Sequence, residues 1–203
     1  MNLRLVLLAG IAPLLGSCLA NYVPPMPLLA TAEVSNDFDT YAIERVGLLP
    51  FSGKELATTE AQELQASFLS EVARATPYEV ICLDADDLEM VEAGDPHRTG
   101  SYSPRTIIEL SRRYNLDAIL FGSVTDERFF PPQLLSLTLD LVSAETGLVV
   151  WSSSVHLDAR DERVQDGLRA YYHVDDREKA WQIALLSPER FARFAAFQIA
   201  LLL

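Results

Sequence analysis

From Leu135 to Leu157 apolar and polar residues alternate with a period of two, and the alternation breaks once, at Ala144-Glu145-Thr146-Gly147. Leu135, Leu137, Leu139 and Leu141 take turns with Ser136, Thr138 and Asp140, and Val149, Trp151, Val155 and Leu157 resume the pattern after the break. Successive side chains of an extended chain point to opposite sides, so this spacing predicts a β-hairpin with one buried face. Such a face must be covered by other elements, which makes the hairpin the nucleus of a layered sheet.

The elements upstream read as strands alternating with helices. Arg45-Val46-Gly47-Leu48-Leu49-Pro50-Phe51 is an apolar run bounded by Pro50 and Gly53, and Tyr78 to Leu83 and Ala118 to Thr125 follow as a second and third strand. Between the first two, a helix from about Thr59 to Ala75 places Leu64, Phe68 and Val72 on one face, with Thr59 and Gln62 at capping-box spacing and Pro77 as its stop. A short helix over Asp86 to Ala93, an exposed polar loop over Gly94 to Ser103 and a helix beginning at Pro104 behind a Ser103 cap complete the middle. From Asp161 to Leu203 the pattern is helical, with Val164, Leu168 and Tyr171 on one stripe and a last helix opening at Ser187-Pro188. Strands joined through helices run parallel and those joined by short turns run antiparallel. The fold class expected is therefore α/β: one mixed sheet of about five strands with helices packed on it and a C-terminal helical extension.

The net charge of −13 excludes nucleic acid as a partner, because such a surface repels phosphate backbones and no Lys/Arg cluster interrupts it. Nucleotide binding fails on detail. Gly47 and Gly53 are separated by five residues where a phosphate-binding loop needs four, Pro50 lacks an N–H, and Glu55 follows Lys54 where a hydroxyl is needed. His97, His156 and His173 lie far apart and none has metal-ligand spacing, so no metal or other cofactor is expected. No Gly-x-Ser-x-Gly elbow is present, and the acidic pairs Asp86-Asp87 and Asp175-Asp176 suit helix starts. The chain is read as no enzyme, with no catalytic residue. Cys82, inside a strand pattern, is expected to be a small buried apolar residue. Two apolar stretches are candidate interaction surfaces. Phe129-Phe130-Pro131-Pro132 bridges two strands, where turn packing is the competing use, and Phe191 and Phe194 lie on the last helix, where packing on the sheet is the leading expectation.

The N-terminus carries the strongest resemblance. Leu15-Gly16-Ser17-Cys18 ends an apolar run, Leu5 to Leu15, that follows Arg4, and it resembles the lipobox of a bacterial lipoprotein signal. The run is well short of the roughly 20 residues that span a bilayer. The resemblance implies a signal peptide over residues 1–17, cleavage before Cys18, a diacylglycerol on its thiol and a further acyl chain, such as palmitate, on its freed amine. At about 0.8 kcal/mol per buried CH₂, several chains hold a protein almost permanently. Leu19 in place of an Asp implies the outer membrane, with the protein facing the periplasm. Residues 18–42, with Pro24, Pro25 and Pro27, read as a tether that would reach about 75 Å drawn out. Residues 43–203 are left as the single folded domain.

Arg45 to Phe51, Leu116 to Val124 and Leu137 to Trp151 resemble the α/β domain shared by the N-terminal domain of TolB, the outer-membrane lipoprotein activators of penicillin-binding proteins, and the curli secretion channel lipoprotein. The likeness covers about residues 43–157. It implies a non-catalytic accessory or assembly factor that binds another envelope protein, with a subunit of an oligomeric export assembly of the curli type as the alternative.

Overall fold

The computed structural model describes residues 25–53, 56–84, 86–87, 104–173 and 180–203. In chain order the elements are strands β1 (Ala30–Val34), β2 (Arg45–Leu48) and β3 (Ser52–Gly53), helix α1 (Thr58–Ala75), strand β4 (Glu79–Cys82), helix α2 (Pro104–Tyr114), strands β5 (Ala118–Arg128), β6 (Leu134–Ser143) and β7 (Val149–Asp158), and helices α3 (Glu162–Tyr172), α4 (Ala180–Ala184) and α5 (Pro188–Ala200). One seven-stranded sheet has the order β1-β7-β6-β5-β2-β4, with β3 beside β5. As the connections dictated, β2 runs parallel to β4 and β5, while β5, β6 and β7 are antiparallel.

The hairpin forms where the alternation placed it, with Leu135 opposite Leu157, Leu137 opposite Val155 and Leu141 opposite Trp151. Its turn closes through the Gly147 N–H, which donates to the Ser143 carbonyl at 2.8 Å, and Gly147 sits at φ 69°, where a Cβ would be strained. Ser143 Oγ accepts from the Glu145 N–H at 3.2 Å and so ties the turn from within.

Two strands exceed the expected five. β1 arises inside the segment that reads as tether, where Ala30, Ala32 and Val34 alternate with Thr31 and Glu33 over too short a run to stand out. Its stability comes from the partner: all five residues pair antiparallel with β7, and the Leu29 N–H donates to Gln198 Oε1 of α5 at 2.8 Å. β3 falls in the stretch compared with a phosphate loop. Its backbone pairs with β5, and the Leu49 N–H donates to the Leu120 carbonyl at 2.9 Å, so the turn is committed to the sheet.

Two further expectations are corrected. α1 begins at Thr58 behind Ala57, whose N–H donates to Glu60 Oε2 at 2.9 Å, and the Thr59–Gln62 box is not used. Glu60 takes that role because, at the third helical position, its carboxylate reaches back to the free N–H. Cys82 is exposed, because β4 is the outermost strand and its residues are at most half-buried.

The main core lies between one face of the sheet and helices α1, α3 and α5, around Trp151, Phe68, Phe191 and Phe194. Gly122 belongs to it by necessity, since a Cβ there would meet the Phe51 ring at 2.1 Å. α5 is apolar around most of its circumference because it packs on α1 and on strands β7, β6 and β1 together. The Trp151 indole N–H then donates to the Leu202 carbonyl at 2.9 Å. α3 docks through Tyr171, whose hydroxyl donates to the buried Glu71 carboxylate at 2.7 Å, and burial pushes the Tyr171 phenol well above its usual range. On the opposite face α2 covers a smaller cluster of Leu49, Leu83, Ile107, Leu110, Leu116, Ile119 and Val142. Among the described residues no helix is long and apolar enough to cross a membrane.

Candidate functional site

Among the described residues, α2 packs on one part of the second face. Beyond it the strands line up polar residues in rows: Asp140, Ser152 and Glu33 across β6, β7 and β1, then Ser123, Thr138, Ser154 and Thr31 across β5 to β1, then Ser136 and His156. These side chains bond one another. Ser152 Oγ donates to Asp140 Oδ1 at 2.5 Å, the Thr31 and Ser154 hydroxyls are 3.1 Å apart, and Ser136 Oγ lies 2.6 Å from His156 Nδ1. Thr31, Glu33, Ser154 and His156 are exposed. The result is a self-paired polar face on the side of the sheet away from the main core.

The β5–β6 turn closes one end of this face. Phe129 is half-buried against the main core, whereas Phe130 beside it is 71 % exposed, the most open of the large apolar side chains described. The turn is braced. The Arg128 guanidinium donates from Nε to the Pro132 carbonyl at 2.6 Å, and the Ala159 N–H donates to the Gln133 carbonyl at 2.9 Å. Beside it Asp158 accepts from Arg160 at 2.5 Å, which holds its carboxyl down to about 2. Beneath the turn the Gln133 side chain is 1 % exposed, and neither its Oε1 nor its Nε2 has a hydrogen-bond partner; Arg128 Nη2 is likewise unpaired. Each buried, unsatisfied polar group costs about 1 to 3 kcal/mol, so this tip is under-satisfied in the isolated chain.

At the other end of β5 and β6, the Tyr41–Ile43 approach to β2, the C-terminal part of α2 and the β6–β7 turn surround a cleft of about 510 Å³. Asp117 organises it. Its Oδ2 accepts from the Glu44 and Arg45 N–H groups at 3.0 and 2.8 Å, and the Ala144 N–H donates to its carbonyl at 2.9 Å.

Of the residues singled out from sequence, Phe129 and Phe130 stand together at the tip, with one ring packed and one presented. Phe191 and Phe194 are 2 % and 0 % exposed, because their helix is pressed between α1 and the sheet, and so they are not a surface. Leu15, Gly16, Ser17 and Cys18 lie outside the described residues, as do His97, Ser103, Lys54, Glu55, Asp175 and Asp176. His156 is on the polar side of β7, bonded to Ser136, and His173 is exposed beyond the end of α3. Asp87, of the Asp86-Asp87 pair, exchanges backbone-to-carboxylate bonds with Asp84 at 3.0 Å, while Asp175 and Asp176 lie outside the described residues. Among the described residues no three His, Cys, Asp or Glu side chains group so as to hold a metal ion. Sequence reasoning missed the cleft, whose walls come from three distant segments. It also missed the β1 contribution to the polar face, because the alternation at 30–34 is too short to stand out.

No family model matches the chain, and no curated protein does. Solved structures do resemble it. The PelC dodecamer from Paraburkholderia phytofirmans is 13 % identical over 78 % of this chain and 96 % of that one, with a TM-score of 0.45. The lipoprotein GNA1162 from Neisseria meningitidis is 16 % identical over 65 % and 94 %, at 0.46. The LpoB of E. coli is 13 % identical over 77 % and 83 %, at 0.42. Two of the three kinds of protein that the sequence resembles recur among the similar structures, as LpoB at 13 % identity and as TolB from Acinetobacter baumannii at 8 %.

Proposed function

We infer that this chain is a non-catalytic accessory or assembly protein of the bacterial envelope. It is held on the periplasmic side of the outer membrane by an acylated Cys18 and binds another envelope protein through the β5–β6 tip. The observation that carries the binding surface is Phe130. An aromatic ring 71 % exposed on a braced turn has the composition of an interface centre, an apolar anchor to be buried. The acidic surface, with its net charge of −13, keeps such a domain in solution and favours a partner with a basic face.

Two experiments test this reading. Cys18→Ala is expected to release the protein into the periplasm as a soluble species, and continued membrane retention would remove the anchor. A photo-crosslinking residue placed at position 130 in intact cells is expected to trap one discrete envelope protein, while the same probe at position 154 on the polar face traps none. A position-130 adduct with a second copy of this chain would overturn the accessory reading in favour of an oligomeric assembly.

A further inference from the structure

The cleft at the opposite end of the β5–β6 hairpin lies about 30 Å from Phe130, given roughly 3.3 Å per strand residue. Its volume of about 510 Å³ falls within the range of small-ligand sites, about 300 to 1,000 Å³. Three kinds of surface meet in it. Ile43, Ile108 and Leu116 give an apolar lining. Ser111 is 4 % exposed, lines the cleft and has no hydrogen-bond partner for its Oγ. A helical serine ordinarily bonds back to the carbonyl four residues earlier, and a buried hydroxyl left unpaired is a standing cost that an incoming acceptor would remove. The third kind is charge at the rim. Arg112 is exposed on α2 and is in no ion pair among the described residues, and Glu145, exposed on the β6–β7 turn, also lines the cleft.

The balance of those charges selects among ligands. Arg112 shares the lining with Glu145 and Asp117, so a dianionic phosphate meets about twice the repulsion that a single carboxylate does. A single planar carboxylate instead matches the guanidinium fork and accepts from a hydroxyl beside it. The aliphatic lining accommodates a small apolar side chain next to that carboxylate, and Glu145 accepts an N–H or ammonium further along the ligand. We propose that this cleft binds the carboxyl-terminal end of a short peptide, with the terminal carboxylate on Arg112 and Ser111 and the last side chain against Ile43, Ile108 and Leu116.

The test is a titration of the detergent-solubilised full chain, followed by amide chemical shifts, with N-acetyl trialanine, its C-terminal carboxamide, and inorganic phosphate as separate probes. The free-carboxylate peptide is expected to shift the signals of Ser111, Arg112, Ser143 and Glu145, and the carboxamide to bind at least about tenfold more weakly, as loss of a charged bidentate contact implies. Arg112→Gln is expected to weaken the free-carboxylate peptide by a similar factor, and Ser111→Ala by about tenfold, one hydrogen bond to a charged group. Ser111→Ala also separates the proposal from a structural role. Removing an unpaired hydroxyl leaves thermal stability unchanged or raised, so weaker binding by a protein at least as stable locates the hydroxyl in the site. Equal binding of the carboxamide, displacement of the peptide by phosphate, or the absence of shifts at these four residues would overturn the proposal. None of these results depends on the membrane anchor or on the tip at Phe130.

Discussion

On the face that carries Leu141, Val155 and Trp151, α5 and α1 cover the middle of the sheet, whereas on the opposite face, among the described residues, the buried apolar cluster is the smaller one beneath α2. The same strands therefore present two surfaces of opposite character. One is a hydrophobic layer that excludes water. The other passes within two strands from a small apolar cluster to rows of hydroxyls that bond each other and remain wet at the margin. The difference teaches where this protein keeps its stability and where it has surface left to use. Stability is concentrated on the face with the larger core, and the two candidate contact regions, the Phe130 tip and the Arg112 cleft, lie at opposite ends of the β5–β6 hairpin.

Three substitutions sharpen that contrast, each read by urea unfolding. Phe194→Ala, at the centre of the covered face and 0 % exposed, is expected to cost the most, about 3 to 5 kcal/mol, from lost burial plus the cavity left under a packed helix. Leu110→Ala, also 0 % exposed but in the smaller cluster beneath α2, is expected to cost about 2 to 3 kcal/mol, because a single helix over a thin cluster can settle into part of the space. A cost for Leu110→Ala above that for Phe194→Ala would break the comparison by making α2 the dominant cover. Ser154→Ala, in the polar rows, is expected to change stability by no more than about 0.5 kcal/mol, since the hydroxyl it leaves on Thr31 can turn to water. A Ser154→Ala cost of the same size as that of Leu110→Ala would mean that the polar face is covered after all.

Much of this architecture was legible in the residues themselves. The alternation from Leu135 to Leu157 placed the hairpin, its turn and its buried side, and Leu64, Phe68 and Val72 placed the inner stripe of α1; all three are fully buried. Ser187-Pro188 started the last helix, where Ser187 Oγ accepts from the Arg190 N–H at 3.4 Å. These signals are local, read from neighbours one to four positions apart. β1 was not legible because five residues carry too little pattern and pair with a strand more than a hundred positions away. The exposure of Cys82 was not legible either, because a strand's sequence does not reveal that it ends up at the edge.

The candidate surfaces divide in the same way. Phe129 and Phe130 stood out in the sequence as adjacent aromatics in a turn, yet which of the two would be presented depended on the core that Phe129 enters. Phe191 and Phe194 made an equally apolar stretch, and only the docking of α5 between α1 and the sheet turned them inward. By itself the sequence determined the order of β2, β4, β5, β6 and β7, the parallel and antiparallel halves of the sheet they form and the acidic character of the surface, because propensity, period and charge act along the chain. The tertiary structure alone decided which part of each face a helix packs on. The cleft beside Arg112 and the polar rows beside α2 are both products of that packing, because burial is a property of what packs from elsewhere.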